Sequence, residues 1–479
     1  MKKVAFHNLG CKVNSYELDI MRQILQEQGY EEVPFQERAD IYVINTCTVT
    51  NIADRKSRQM LHRAKKQNPG AVVIAVGCYV ETDPAGVERD EAVDLVIGNN
   101  KKAQIGSILA SFLEERAARE TEDRREVGAF SDTDRGTSAR AAAPAYEDMQ
   151  LRSPGHTRAY IKIQDGCNQF CSYCIIPFAR GRIRSRKAEE ILREVEGLVR
   201  SGIREIVLTG IHVSSYGLDF GAEGPVRFDP VRSGAALLEL IRRLNAVEGL
   251  ERIRMSSLEP RIMTEPFIAE LSRLEKVCPH FHLSLQSGCD QTLRRMNRHY
   301  TTAEYAESVR LLRQYYDRPA ITTDVIVGFP GETEAEFQTT CDFLERIRFY
   351  EIHVFRYSKR NGTVAAKMEF QIPEPVKAVR SDRLLEMTAA QAKEDRDLFT
   401  GEPETILLEE LCEKDGISYW TGSTARYVTG AVRTGDGAEE YRPGMLLQGS
   451  FSGETVELSR GSCSAFVPGP RFSGIESEG

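Results

Sequence analysis

The most constraining stretch of the chain is Asp165-Gly-Cys-Asn-Gln-Phe-Cys-Ser-Tyr-Cys174, which places Cys167, Cys171 and Cys174 at CxxxCxxC spacing directly after a candidate strand at 159–164. Spacing this short confines three soft thiolates to one loop. A structural zinc ion takes four protein ligands, whereas an iron-sulfur cluster held by three cysteines keeps one iron open for a small chelating molecule.

The chain of 479 residues is too long for one ordinary core and predicts about three domains. No apolar run approaches the roughly 18 residues needed to cross a bilayer, and the start, MKKVAFHNLGCKVNS, lacks the apolar stretch of a secretory signal. The expected location is the cytoplasm, with no membrane partner. Thiols stay reduced there, so the 11 cysteines point to metal binding or catalysis where they cluster. The net charge of −8 is uneven: residues 114–152 carry −3, residues 400–466 carry −6 and residues 467–479 carry −1, leaving +2 for the rest. A local basic surface near the clustered cysteines is therefore compatible with the acidic total.

Residues 1–113 alternate short β-rich runs with helical patterns, as in a small parallel α/β sheet. Residues 114–156 lose periodicity and read as a linker. From 157 to 399 the alternation resumes, with candidate strands at 159–164, 205–209, 252–256, 281–286, 321–327 and 351–357 and helices between them. Six βα units predict a partial TIM-type (βα)6 barrel. Residues 400–466 read as a small β-barrel, and residues 467–479 as a loose tail.

Three further cysteines share a position. Cys11 follows the first strand, Cys47 follows Tyr42-Val-Ile-Asn-Thr, and Cys78 follows Val73-Ile-Ala-Val-Gly. Strand carboxyl ends line one edge of a parallel sheet, so the three can converge there, with His7 available if zinc needed a fourth ligand. Cys278, Cys289, Cys341, Cys412 and Cys463 share no spacing and read as packing residues.

Arg180, Arg182, Arg184, Arg186 and Lys187 follow Cys174, and an extended backbone would align the arginines as a positive strip beside the loop. Arg55, Lys56, Arg58, Arg63, Lys65 and Lys66 form a second basic run after Cys47. Two such runs beside cysteine loops suggest RNA contact. Loops at Thr209-Gly-Ile-His212, Ser256-Ser-Leu-Glu-Pro260, Gln286-Ser-Gly288 and Gly328-Phe-Pro-Gly-Glu332 sit where barrel folds build sites, with His212 a candidate base. No Walker loop, Ser/His/Asp set or GxGxxG after a strand is present, which disfavours kinase, hydrolase and dinucleotide chemistry. Residue chemistry alone leaves a cluster enzyme and a zinc-stabilised RNA-binding protein both open.

CxxxCxYC at 167–174, together with Leu9-Gly-Cys-Lys-Val-Asn14, Asn45-Thr-Cys47 and Val76-Gly-Cys78, resembles the radical S-adenosylmethionine methylthiotransferase family. Ile176-Pro-Phe-Ala-Arg-Gly-Arg182 and Leu208-Thr-Gly-Ile-His212 are most similar to the branch acting on N6-threonylcarbamoyladenosine in tRNA. Sister branches act on isopentenyladenosine in tRNA or on a ribosomal-protein aspartate. The resemblance implies two 4Fe-4S clusters. Cys167, Cys171 and Cys174 would hold the one that chelates S-adenosylmethionine, with Tyr173 beside its adenine and Gly210 and Gln286 as further cofactor contacts. Cys11, Cys47 and Cys78 would hold an auxiliary cluster carrying the sulfur. It further implies addition of a methylthio group to C2 of the adenosine at position 37, in the anticodon loop, served by a low-potential donor such as flavodoxin or ferredoxin. The C-terminal module resembles a TRAM domain, although its −6 charge leaves RNA contact to Arg426, Arg433, Arg442 or Arg460, or to the basic runs. The loop after the second barrel strand lacks the acidic residue that many radical enzymes offer to the methionine amino group.

Overall fold

The computed structural model describes residues 2–121, 130–132, 146–224, 226–397, 401–414, 416–434, 441–452 and 455–458. The expected tail, Cys463, Arg460 and residues 122–129 and 133–145 of the expected linker lie outside the described residues. No helix among those described is long and apolar enough to cross a membrane.

The N-terminal unit is a parallel sheet of β1 (Lys3–Asn8), β2 (Glu31–Glu32), β3 (Ile41–Thr46), β4 (Val72–Gly77), β5 (Leu95–Ile97) and β6 (Phe130–Asp132), in the order β2-β1-β3-β4-β5-β6. Every residue of β3 and β4 is buried, as parallel strands covered on both faces require. The order reverses between β1 and β3. A crevice opens at such a switch point beyond the strand carboxyl ends, and the loops after β1 and β3 carry Cys11 and Cys47.

The central unit has six parallel strands: β7 (Arg158–Asp165), β9 (Glu205–Gly210), β10 (Arg252–Met255), β11 (His280–His282), β12 (Ala320–Val327) and β13 (Glu351–Arg356). Isolated parallel bridges Ile253–Val277 and Leu258–Leu283 carry the wall from β10 to β11, and β8 (Arg184–Ser185) adds a short antiparallel edge to β7. This is the expected partial barrel. Its helices begin where the sequence supplies caps: Thr301 with Glu304 and Thr333 with Glu336 each close a capping box. Alternation along the pleat sends Ile161, Leu208, Ile253, Phe281 and Val325 outward into the helix-packed core. The intervening positions, among them Lys162, Arg254, His282, Asp324 and His353, therefore line the inside.

The helix Lys12–Glu27 joins the two units, burying Tyr16 and Ile20 in the barrel's own core. Two buried side chains of that size contribute on the order of 1.5–3 kcal/mol each. The C-terminal unit is an antiparallel sheet of β14 (Pro403–Lys414), β15 (Ile417–Thr424), β16 (Thr429–Arg433), β17 (Leu446–Ser452) and β18 (Thr455–Leu458), in the order β16-β15-β14-β17-β18, with its edge strands close together. It covers the amino ends of the barrel strands. Arg252 donates to Ser423 O at 3.0 Å and Arg254 to Thr424 O at 3.0 Å, while Tyr427 stacks on His280 at 4.9 Å between Arg158 and Arg254. Arg426, considered above for RNA, is spent on this docking through Glu404 and the Arg318 carbonyl; Arg433 and Arg442 are exposed.

Candidate functional site

The loop Gly166–Cys174 leaves the carboxyl end of β7 and is pinned from three sides. Cys167 N donates to Gly181 O at 3.0 Å, Ser172 N to Met296 O at 3.0 Å, and Asn297 Nδ2 to Phe170 O at 3.0 Å. Gly166 has φ +70°, and a Cβ there would lie 1.9 Å from Arg182 O, so backbone fills the space a side chain would need. Gly166→Ala is expected to push the loop off its seat and to remove one cluster's share of the iron from anaerobically reconstituted protein, read by iron and sulfide counts.

The thiols of this loop are shielded from water: burial pushes Cys174 up to about 12 and Cys167 higher still. Their anionic form needs positive charge. Arg298 Nη1 supplies some at 3.2 Å from Cys171 Sγ, a residue that no local motif announced.

The strand-end cysteines converge. A Cβ on Gly10, at φ +107°, would lie 3.0 Å from Cys47 Sγ, so the loops after β1 and β3 touch. Cys11 caps the helix Lys12–Glu27, and Cys78 begins the turn Cys78–Thr82. Cys47 is pushed up to about 12 by burial and by the neighbouring Cys78 and Cys11. The two triads are also neighbours, since Cys78 lies near enough to raise Cys174 electrostatically. His7 is not gathered into the group; its ring packs on Phe35 at 4.8 Å, and burial and Arg63 lower its pKa.

Arg180 links the units. Its Nε lies 3.2 Å from Cys78 Sγ, and Nη1 lies 2.8 Å from Glu17 and 3.3 Å from Asp165. Lys102, Lys162 and Arg184 complete a buried network in which four cations pair with two carboxylates, Glu17 and Asp165. Burial disfavours both carboxylates, yet Arg180, Lys102 and Lys162 hold Glu17, and Lys162, Arg180 and Arg184 hold Asp165, below the ordinary range. This corrects the expected positive strip. Only Arg180 of the run lies in the helix Ile176–Arg180, and the strip fails because Arg180, Arg184 and Arg186 are buried in ion pairs; Arg182 stacks over Phe170 at 4.6 Å. The second basic run keeps Arg55, Arg58, Arg63 and Lys66 exposed on the helix Asn51–Gln67.

Each triad gathers three thiols and, among the described residues, no fourth protein ligand of a structural zinc site. Thiolates on one zinc, at Zn–S distances near 2.3 Å, lie about 4 Å apart. Among the described residues, His282, Asp324 and His353 alone bring three ligand atoms within 4.8 Å, and neither cysteine triad does. The cationic network at Cys78 matches the anionic charge of a thiolate-held cluster.

Sequence reasoning gave Glu259 no role. It accepts from His212 Nε2 at 2.8 Å and Gln169 Nε2 at 2.9 Å, and pairs with Arg261. Burial opposes its charge, but the His212 and Arg261 contacts outweigh burial and hold it at about 2. The loop after β10 thus carries a buried carboxylate beside the loop after β9, and the motif Ser-Ser-Leu-Glu-Pro was the available signal. His212, held between Ser215 and Glu259, is an orienting partner rather than a free base. Gly210 abuts Gln164, the Tyr173 ring meets Phe329 at 6.4 Å, and Gln286, at φ +72°, bridges to β12 through Asp324 O and Ile326 N.

A cavity of about 600 Å³ runs down the barrel interior, from Cys11 and Gly210 to Tyr427 of the C-terminal sheet. Lys12 projects into it, and burial with Arg158 and Arg254 nearby lowers its ammonium to about 8.

Residues 161–344 match the Radical SAM superfamily, and residues 3–98 match a family described as uncharacterized protein family UPF0004. A threonylcarbamoyladenosine tRNA methylthiotransferase MtaB from Bacillus subtilis (strain 168) is 41% identical, covering 89% of this chain and 90% of its own. The protein of the same name from Aquifex aeolicus (strain VF5) is 39% identical, covering 85% and 93%. A tRNA-2-methylthio-N(6)-dimethylallyladenosine synthase from Acetivibrio thermocellus is 36% identical, covering 88% and 84%. Among solved structures, the radical S-adenosylmethionine methyltransferase TsrM from Kitasatospora setae superposes with a TM-score of 0.51 at 17% identity, covering 74% and 73%, a likeness of fold. With its two cysteine triads facing each other and its full-length relatives of this identity, the chain belongs to the radical S-adenosylmethionine tRNA methylthiotransferase family.

Proposed function

We propose that the protein adds a methylthio group to C2 of N6-threonylcarbamoyladenosine at position 37 of tRNA, with the two triads each holding a 4Fe-4S cluster. The juxtaposition of the triads across Arg180 and Cys78 carries this reading, supported by the names of the relatives at 41% and 39% identity. When bound, the clusters and S-adenosylmethionine supply radical formation and the sulfur to be transferred. The chain's share is placement and shielding. Cys167, Cys171 and Cys174 fix one group and Cys11, Cys47 and Cys78 the other, while the barrel wall excludes water and stray hydrogen donors. In this reading Gly210 and Glu259 would receive the amino acid part of S-adenosylmethionine, and Tyr173 and Gln286 its adenine.

The base must leave the stack to be reached, which an anticodon loop permits at small cost. Exposed Val49 and Ile52 behind Cys47, and exposed Phe178 behind Cys174, flank the two loops alongside Arg55 and Arg58. Such a surface suits unstacked bases and phosphates. In this reading residues 1–113 and 157–399 are the two cluster-bearing units and 400–466 a TRAM-like module. The protein works in the cytoplasm with a low-potential donor such as flavodoxin or ferredoxin. Deleting the gene is expected to eliminate 2-methylthio-N6-threonylcarbamoyladenosine from total tRNA nucleosides, measured by mass spectrometry. Its persistence in a strain with no paralogue would refute the assignment.

A further inference from the structure

The barrel cavity holds a cation, Lys12, that has no hydrogen-bond or ion-pair partner among the described residues, although Asp324 and Glu205 lie near enough to favour its charge. Two lysine or arginine side chains line it, Lys12 and Arg158. Arg158 is engaged, 3.2 Å from Glu409 and 3.8 Å from Glu205. Lys12 makes no hydrogen bond or ion pair with any described residue. A shielded ammonium without an acceptor is unfavourable, and an anion entering the cavity relieves it. Across the cavity His282, Asp324 and His353 form a polar wall, with His282 Nε2 3.2 Å from Asp324 but out of line for a hydrogen bond. The cavity is thus built for a polar guest, and Lys12 is its one lysine or arginine without a hydrogen bond or ion pair among the described residues.

Lys12 directly follows Cys11, one of the three strand-end cysteines. Chemistry makes that adjacency informative. In adenine, C2 and C6 flank N1, so a substituent on N6 lies along the same edge as C2. A group that grips the substituent must therefore stand beside the loop that delivers sulfur to C2. An isopentenyl substituent has no charge to offer there; a threonylcarbamoyl substituent ends in a carboxylate.

We propose that Lys12 is the receptor for the carboxylate of the threonylcarbamoyl group, within the barrel cavity faced by His282, Asp324 and His353. The proposal rests on the substrate reading above and goes further by assigning the selecting residue. A charge-assisted hydrogen bond in a shielded site corresponds to about 10- to 100-fold in affinity. It also gives discrimination, because a substrate lacking the carboxylate leaves Lys12 shielded and unpaired.

The test uses the cluster-loaded full chain and three anticodon stem-loop RNAs, carrying at position 37 threonylcarbamoyladenosine, its methyl ester, or unmodified adenosine. Kd is measured for wild type, Lys12→Met and Lys12→Arg, with iron content verified for each. The expected result is that wild type binds the acid about 10- to 100-fold more tightly than the ester. Lys12→Met is expected to bind the two alike, and Lys12→Arg to keep the preference. Retention of the wild-type preference by Lys12→Met overturns the proposal. So does equal binding of acid and ester by wild type, a comparison that needs no variant to fold. The substrate reading fails separately, if wild type does not methylthiolate the acid-bearing RNA under turnover conditions.

Discussion

Replacing Cys171 with Ala is expected to abolish cleavage of S-adenosylmethionine, while replacing Cys47 with Ala spares cleavage and stops sulfur insertion. The CxxxCxxC loop supplies three thiolates and no spare, and Arg298 sits 3.2 Å from Cys171 Sγ, so truncation there removes a ligand and leaves a half-buried cation without its sulfur partner. Cys47 belongs to the other group, on the neighbouring loop after β3, and its loss leaves the first loop's brace to Met296 and Asn297 intact. The measurement is 5′-deoxyadenosine by chromatography and modified nucleoside by mass spectrometry, each on anaerobically purified protein. Full methylthiolation by Cys47→Ala would sink the two-cluster reading. A colourless protein with about one metal per site and no iron would instead support the zinc alternative.

Arg180→Met is expected to lower stability by about 3–5 kcal/mol, the usual result of removing one partner from a buried ionic network. Glu17 and Asp165 lose a shared cation, and Cys78 loses the guanidinium 3.2 Å from its sulfur. Burial already raises the Cys78 thiol although Arg180 and Lys102 oppose it, so the variant is expected to bind the auxiliary group weakly as well. Chemical denaturation gives the stability, and the iron count with and without reconstitution gives the loading. An unchanged unfolding midpoint together with wild-type iron would show that the network does not join the units.

The six barrel strands were legible because each is a short apolar run between helical patterns, and the expected segment at 321–327 falls within the strand Ala320–Val327. The expected strand at 281–286 is shorter in the structure, His280–His282, because the chain beyond it turns into the loop where Gln286 adopts φ +72°. The alternation His280-Phe-His282 already encoded which face meets the core, since successive strand residues point to opposite sides. The arginines behind Cys174 were misread for a definite reason. Their charges looked solvated, but Asp165 and Glu194 of the same unit fold back onto Arg184 and Arg186, and Glu17 reaches Arg180 from another unit 163 residues away. Glu259 escaped notice likewise: its partners Gln169 and His212 lie 90 and 47 residues before it.

The sequence by itself determined the chemistry available to this protein. Ligand identity and spacing at Cys167, Cys171 and Cys174, and the repeated strand-end position of Cys11, Cys47 and Cys78, are local properties that no packing arrangement alters. The tertiary structure alone decided which charges are spent and which are free. Arg180, Arg184 and Arg186 are consumed in buried pairs while Lys12 is left without one, because pairing of charges depends on which elements packing brings together and not on their order along the chain.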